Sequence, residues 1–339
     1  MRRLLFRLDA ESAHNLTLRL LALAGELPPI RSMLRAAFSL PEPGLQRTAF
    51  GITFRNPIGL AAGYDKQGLA MHGLACLGFG HLELGTVTPM PQVGNPRPRI
   101  FRLPDDRGLI NRMGFPNAGA ADLLKRLQKR RPEGVVVGVN IGKGADTPLE
   151  RAPEDYLVQL RAFYPVSDYL AVNVSSPNTI GLRRLQARAH LEVLLTELKR
   201  ARDELHDVTS RRAPLLVKLA PDLTEKELAD AVETIQQVGL EGVIATNTTV
   251  AREELTSLHR EEMGGLSGRP LRTRSTASIR EIHRLSAGEL PIIGVGGVSD
   301  AASAREKLEA GASLVQLYTG LIYRGPGVVR DILEGLRPA

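Results

Sequence analysis

An apolar run from Tyr169 to Val174 breaks off into Ser175-Ser176-Pro177-Asn178-Thr179, a short stretch of hydroxyls, a proline and an amide, with Asn173 inside the run. The run has the composition of a buried strand, so the polar groups fall in the loop at its C-terminal end. Other apolar runs end the same way, near Lys66, Thr86, Asn140, Lys218, Asn247-Thr248, Gly296-Gly297 and Tyr318-Thr319. Singly, a lysine after a strand is more often a surface charge and an asparagine more often a turn former. Together the set is amide-rich and cationic, with almost no carboxylate. Such a set suits an anionic, planar ligand with many donors and acceptors better than a glycoside or a metal-assisted hydrolysis.

These residues need a scaffold that gathers strand ends. Short apolar runs occur at Ile58-Ala62, Leu82-Val87, Val135-Ile141, Tyr169-Ser175, Leu215-Leu219, Val243-Thr246, Ile292-Val295 and Leu314-Tyr318. Amphipathic stretches such as Leu191-Leu205, Glu225-Val238, Ser275-Leu285 and Ala301-Ala310 separate most of them. About eight βα units without an antiparallel hairpin signature predict an α/β fold, a (β/α)8 TIM barrel with chemistry at the C-terminal rim. A doubly wound sheet is the alternative, but Gly294-Val-Gly296-Gly297-Val-Ser299 lacks the third glycine of a dinucleotide fingerprint. The same segment, with a helix opening at Asp300, suits a phosphate; a tight turn without a ligand is the competing reading. Two long connections, Thr88 to Pro116 and Thr249 to Arg274, leave strand C-terminal ends, where long loops are usually functional or disordered.

Composition narrows the field. The 339 residues, 43% hydrophobic, can bury one large core with something small attached. Only 4% are aromatic and none is Trp, which argues against a base-stacking nucleic-acid surface despite a net charge of +7. A single cysteine, Cys76, forms no internal disulfide and reads as a small core residue. The seven histidines show no metal-ligand spacing, so no metal site is legible. Asp9 can cap a helix from Ala10 to about Gly25 that Pro28-Pro29 stops, and a second helix carries Ile30, Met33, Leu34, Ala37 and Phe38 until Pro41-Glu-Pro43. Neither reaches bilayer length. A helical hairpin packed on the main domain is the commoner reading; an interfacial element, helped by Arg2, Arg3, Arg7 and Arg19, is the sharper one.

The motifs together resemble the quinone-dependent (class 2) dihydroorotate dehydrogenases over nearly the whole chain. They include Asn56-Pro-Ile-Gly-Leu-Ala-Ala-Gly63-Tyr-Asp-Lys66, Gly85-Thr86-Val-Thr-Pro89, Gly94-Asn-Pro-Arg-Pro-Arg99, Gly108-Leu-Ile-Asn111-Arg-Met-Gly-Phe115, Asn173-Val-Ser-Ser-Pro-Asn-Thr179, Thr246-Asn-Thr248 and Gly264-Gly-Leu-Ser-Gly-Arg-Pro270. The resemblance implies oxidation of dihydroorotate to orotate in pyrimidine synthesis, with FMN as cofactor and a membrane quinone as acceptor. It makes Ser176 the base, with Phe115 and Thr179 in the relay region. Lys66, Asn111, Arg112, Met113, Gly114, Phe115, Asn173, Asn178, Asn247 and Thr248 match substrate positions. Ala62, Gly63, Lys66, Thr86, Asn140 and Asn173 match flavin positions, as do Lys218, Thr246, Gly268, Gly297, Tyr318 and Thr319. His14 and Arg102 fall where polar groups meet the quinone head.

By the same resemblance, residues 1–43 form a membrane-associated quinone-access segment and residues 44–339 the FMN-binding barrel. It implies peripheral attachment to the cytoplasmic face of the cell membrane through residues 1–40, with no nucleic-acid or obligate protein partner. Tyr64, Pro116 and Ile180 depart from the common pattern without removing a chemical group. The competing functions are a class 1 relative that ignores quinones, a barrel aldolase using Lys218 or Lys66 as a Schiff base, and a catalytically silent membrane-surface protein.

Overall fold

In a computed structural model, which describes residues 2–40 and 43–337, eight parallel strands close into a barrel. They are β1 (Ile58–Leu60), β2 (His81–Val87), β3 (Val136–Ile141), β4 (Tyr169–Asn173), β5 (Leu215–Leu219), β6 (Gly242–Ala245), β7 (Ile292–Val295) and β8 (Leu314–Leu317). Each pairs in parallel with its neighbours in sequence, and β8 closes on β1 through Val315 opposite Ile58. A helix follows each strand, so the strands are covered on both faces and read as continuous apolar runs. The expected barrel and all eight strand positions are present.

Two layers of core follow from the strands' alternation. Leu82, Leu84, Val137 and Val139 pack outward against the helices in the main cluster. Tyr169, Ala171, Leu216, Ile244, Ile293 and Leu314 form a separate interior cluster with Phe50 and Phe54. Phe54 belongs to an antiparallel pair, Arg47–Ala49 with Ile52–Phe54, and Phe50 to the turn between its strands; together they close the N-terminal end of the barrel. Cys76 is buried at the C-cap of the helix Met71–Ala75.

Antiparallel pairing is thus present outside the eight barrel strands, and it appears again at the rim. Ile100–Leu103, Gly108–Asn111 and Gly265–Gly268 form a three-stranded antiparallel sheet. Its strands come from both long connections, so those connections are one ordered structure over the C-terminal mouth.

The N-terminal helices are α1 (Ala10–Glu26) and α2 (Pro28–Phe38), separated by the extended Leu27. Asp9 caps α1 by accepting from the Glu11 and Ser12 amides. Pro28 and Pro29 do more than stop α1: they open α2 at N1 and N2, where a missing N–H costs nothing. Pro41 and Glu42, assigned above to the end of α2, and the side chains of Arg2 and Arg3 lie outside the described residues. Close approach seats α1 on the barrel. A Cβ on Gly73 would fall 2.1 Å from the Leu21 carbonyl oxygen, and one on Gly25 would fall 2.6 Å from the Gly73 nitrogen. No helix among the described residues is long and apolar enough to cross a membrane.

Candidate active site at the barrel mouth

One cavity at the C-terminal mouth gathers most of the residues singled out above. Lys66, Asn111, Met113, Gly114, Phe115, Asn173, Ser176, Asn178, Asn247 and Thr248 all line it. So do Ala62, Gly63, Thr86, Lys218, Thr246, Gly268, Gly297, Tyr318 and Thr319. Asn140, Arg112 and Thr179 do not line it. Asn140 lies one layer deeper and braces it, accepting from the Thr86 hydroxyl at 2.5 Å and the Asn173 amide at 3.1 Å. The Arg112 side chain turns away, donating to Glu262 at 2.6 Å and lying over the Phe101 ring. Thr179 is buried, and its hydroxyl makes no hydrogen bond.

The lining groups hold one another in place. Asn178 donates to Asn111 at 3.2 Å, and Asn247 donates to the Ser175 hydroxyl at 3.0 Å and to Asn173 at 3.3 Å. The Ser176 hydroxyl accepts from the Asn178 backbone amide at 3.2 Å. Lys66 donates to the Gly63 carbonyl at 2.8 Å, and its Nζ lies 3.5 Å from the Met113 sulfur. Burial, then the Arg99 charge, pushes the Lys66 ammonium down to about 8, opposed by Glu11 and Asp65. Phe115 adopts the left-handed region at φ 52°, a conformation that costs a non-glycine residue roughly 1–2 kcal/mol and that clusters at functional sites.

A carboxylate that the sequence reading missed sits beneath this rim. Glu83 is fully buried inside the barrel. It accepts from Lys218 at 3.2 Å, Asn140 at 2.8 Å, Gln316 at 2.8 Å and Tyr169 at 3.2 Å. Burial alone would raise its pKa, but the Lys218 charge and the hydrogen bonds from Gln316 and Asn140 outweigh it and hold the carboxyl below its usual value. A signal was present in His81-Leu-Glu83-Leu-Gly85: period-two alternation turns Glu83 inward while Leu82 and Leu84 face the helices.

His14 and Arg102 line a different cavity, of about 480 Å³, between the N-terminal helices and the barrel. Leu20, Leu21, Leu34, Leu321 and Ile322 make it mostly apolar. Burial, then Lys66, pushes His14 down to about 4, so its ring is neutral at physiological pH. His14 packs edge-on to Tyr64, and Tyr64 edge-on to Tyr318. Tyr318 lines both cavities and forms part of the wall between them. Arg102 donates to the Leu8 carbonyl at 2.7 Å and lies over the Phe6 ring, clamping the start of the chain.

The mouth suits a phosphate-bearing flavin by its donor set. Its Gly268, Gly297, Thr319 and Gly320 end continues into a second recess lined by Arg107, Arg269 and Arg272. Gly297 has φ 74°, and a Cβ there would fall 2.7 Å from the Arg272 Cα, so only glycine fits. The helix Ala301–Glu309 begins there, but Asp300 and Ser303 cap it reciprocally, so the N3 amide is already used. The anion-binding character of this end therefore rests on the arginines and the glycine backbone more than on that helix.

Fold and site define a barrel enzyme with a polar, cationic mouth and an apolar side entrance. Residues 44–339 match the profile of the family described as Dihydroorotate dehydrogenase, and the chain belongs to that family, in its quinone-dependent branch. It is 51% identical over 333 residues to a dihydroorotate dehydrogenase (quinone) of Burkholderia thailandensis, covering 98% of this chain and 95% of that one. A protein of the same name from a Roseiflexus species is 50% identical over 336 residues, covering 99% and 92%. The crystal structure of an Eimeria tenella dihydroorotate dehydrogenase in complex with ferulenol superposes with a TM-score of 0.89 at 40% identity, covering 97% of this chain and 90% of that one.

Proposed function

We propose that this protein oxidises dihydroorotate to orotate for pyrimidine synthesis, with FMN at the barrel mouth and a membrane quinone as final acceptor. The convergence of Lys66, Ser176 and Lys218 on one cavity, with Tyr318 dividing it from an apolar one, carries this reading. Bound FMN supplies a two-electron acceptor for the hydride that leaves C6 of the substrate. The protein's own residues do the rest. Lys66 pairs with the substrate carboxylate, while Asn111, Asn178 and Asn247 offer amides to the ring's N–H and C=O edge.

Ser176 takes the proton from C5. A serine hydroxyl is a weak base, so the proton must move on as it arrives. The Asn178 amide donates to Ser176 Oγ and favours negative charge there, and the unpartnered Thr179 hydroxyl is available for the onward step. Thr86, Asn140, Asn173 and Thr246 form the cofactor's bracing, and Gly268, Gly297, Tyr318 and Thr319 its phosphate end. Lys218, held by Glu83, offers the cation that balances charge gained on reduction.

In this reading residues 44–339 are the catalytic barrel and residues 1–43 the quinone-access segment, with His14 and Arg102 near the quinone head. The apolar faces of α1 and α2 rest on the cytoplasmic surface of the cell membrane. The purified protein should be yellow, and dihydroorotate added under argon should bleach it. A colourless protein, or a yellow one that stays yellow, would refute the assignment.

A further inference from the structure

We propose that Glu11 on α1 is a positioning residue for the dihydroorotate site, acting through Arg99 and Asn95 on the segment 111–115 that lines the mouth. The contact between hairpin and rim then sets dihydroorotate affinity. The inference rests on the function proposed above and assigns it a residue outside the substrate cavity.

Glu11 is the one charged residue among the buried positions of α1. A buried carboxylate needs full pairing, and Arg99, itself buried, supplies it in two-pronged form. Arg99 Nη2 lies 2.7 Å from Glu11 Oε1 and Nε lies 3.1 Å from Oε2, with Arg97 adding a third bond at 3.0 Å. The remaining prong of Arg99 reaches the next link. Nη1 donates to the Val93 carbonyl at 2.7 Å and the Asn95 carbonyl at 2.9 Å.

Asn95 then holds the mouth from both sides. Its side chain donates to the Arg112 carbonyl at 2.9 Å and the Asn178 carbonyl at 3.4 Å, and its backbone amide donates to the Met113 carbonyl at 2.9 Å. It also lies against Gly114, where a Cβ would fall 2.7 Å from Asn95 Oδ1. Met113 in turn meets Lys66. A continuous polar chain therefore runs from the hairpin to Lys66 and Asn178.

Charge runs along the same path. The groups acting on Lys66 are Arg99 from the rim, Glu11 and His14 from α1, and Asp65 beside it in sequence. Neutralising Glu11 leaves the Arg99 cation uncompensated near the ammonium. The pH above which Lys66 loses its proton, and with it the substrate carboxylate, should then move lower.

The test uses full-length holoenzyme and anaerobic rapid mixing with dihydroorotate. Glu11→Gln should weaken dihydroorotate binding about tenfold, the size of a lost charge-assisted hydrogen bond. The saturating rate of flavin bleaching should hold, and the alkaline loss of affinity should begin at lower pH. Glu11→Asp should recover part of the affinity, and re-oxidation by a quinone analogue should match wild type. Wild-type affinity and pH profile in Glu11→Gln, or equal loss of both half-reactions, would overturn the proposal.

Amide exchange provides a second readout independent of substrate. Exchange in segment 111–115 should quicken in Glu11→Gln, and unchanged exchange also overturns the proposal. If the single variant does not fold, Glu11→Gln with Arg99→Gln removes both charges and should still weaken dihydroorotate binding and quicken exchange in segment 111–115, without the downward move of the alkaline limb because the Arg99 cation that lowers Lys66 is gone. Failure of wild type to respond to dihydroorotate would instead refute the function, while the exchange result still judges the coupling.

Discussion

The barrel mouth and the N-terminal hairpin are built in opposite ways. At the mouth, polar side chains from separate strands are buried and bonded to one another, as in the chain Thr86, Asn140, Asn173 and Asn247 above Glu83. In the hairpin, α2 has no buried residue at all, and Leu16, Leu20, Leu23, Leu27, Ile30 and Met33 are exposed. A closed ring of strands holds the first region, and the lining groups at the strand ends inherit their positions from it. A glycine contact, an apolar cavity wall and two arginine clamps hold the second. Regions with few buried contacts open at low cost. That contrast matches the division of labour proposed here: proton and hydride transfer need fixed geometry, and a lipid-soluble acceptor needs an entrance.

The sharpest way to break the comparison is to disable one region alone. Ser176→Ala should slow flavin bleaching by dihydroorotate by about 10²–10⁴-fold, the usual contribution of a positioned base, while leaving re-oxidation by quinone intact. Equal slowing of both steps would mean that the regions are not separable. Next in size, Glu83→Ala strands the buried Lys218 ammonium and should cost about 3–5 kcal/mol in urea unfolding. The exposed hairpin carboxylate Glu26, changed to Ala, should shift stability by less than about 0.5 kcal/mol.

The hairpin has its own test. Leu23→Ser should weaken binding to anionic vesicles, since burying one leucine is worth roughly 1.5–3 kcal/mol, without altering flavin bleaching. The gentlest effect is pH dependence. Lys66 is charged below about 8, so dihydroorotate affinity should be retained there and fall as pH rises through that value. Affinity that rises with pH would remove Lys66 from carboxylate binding.

The mouth was legible in the sequence because strand ends repeat one chemistry. Apolar runs located β1 to β8, and the polar residue after each run marked the rim. Glu83 escaped because the rim is read from the C-terminal ends of the runs, and it lies in the middle of one. The antiparallel pieces escaped for a different reason. Arg47–Ala49 and Ile52–Phe54 are too short to show a period, and Gly265–Gly268 pairs with Gly108–Asn111 far along the chain. Pro28 and Pro29 read as a stop because a proline signals the same break whether a helix is ending or another is starting. Nothing local announced that Glu11 and Arg99 would meet. Ile180, noted as a departure beside Thr179, is almost fully exposed, and Tyr64 is buried between His14 and Tyr318.

Two separate cavities meeting at Tyr318 are what the whole account requires, and simultaneous binding measures that directly. Orotate affinity should be determined by flavin absorbance with and without a saturating soluble quinone analogue. Orotate affinity should be the same in both cases, because each ligand has its own cavity. Displacement of orotate in proportion to the quinone analogue would place both in one site and contradict it.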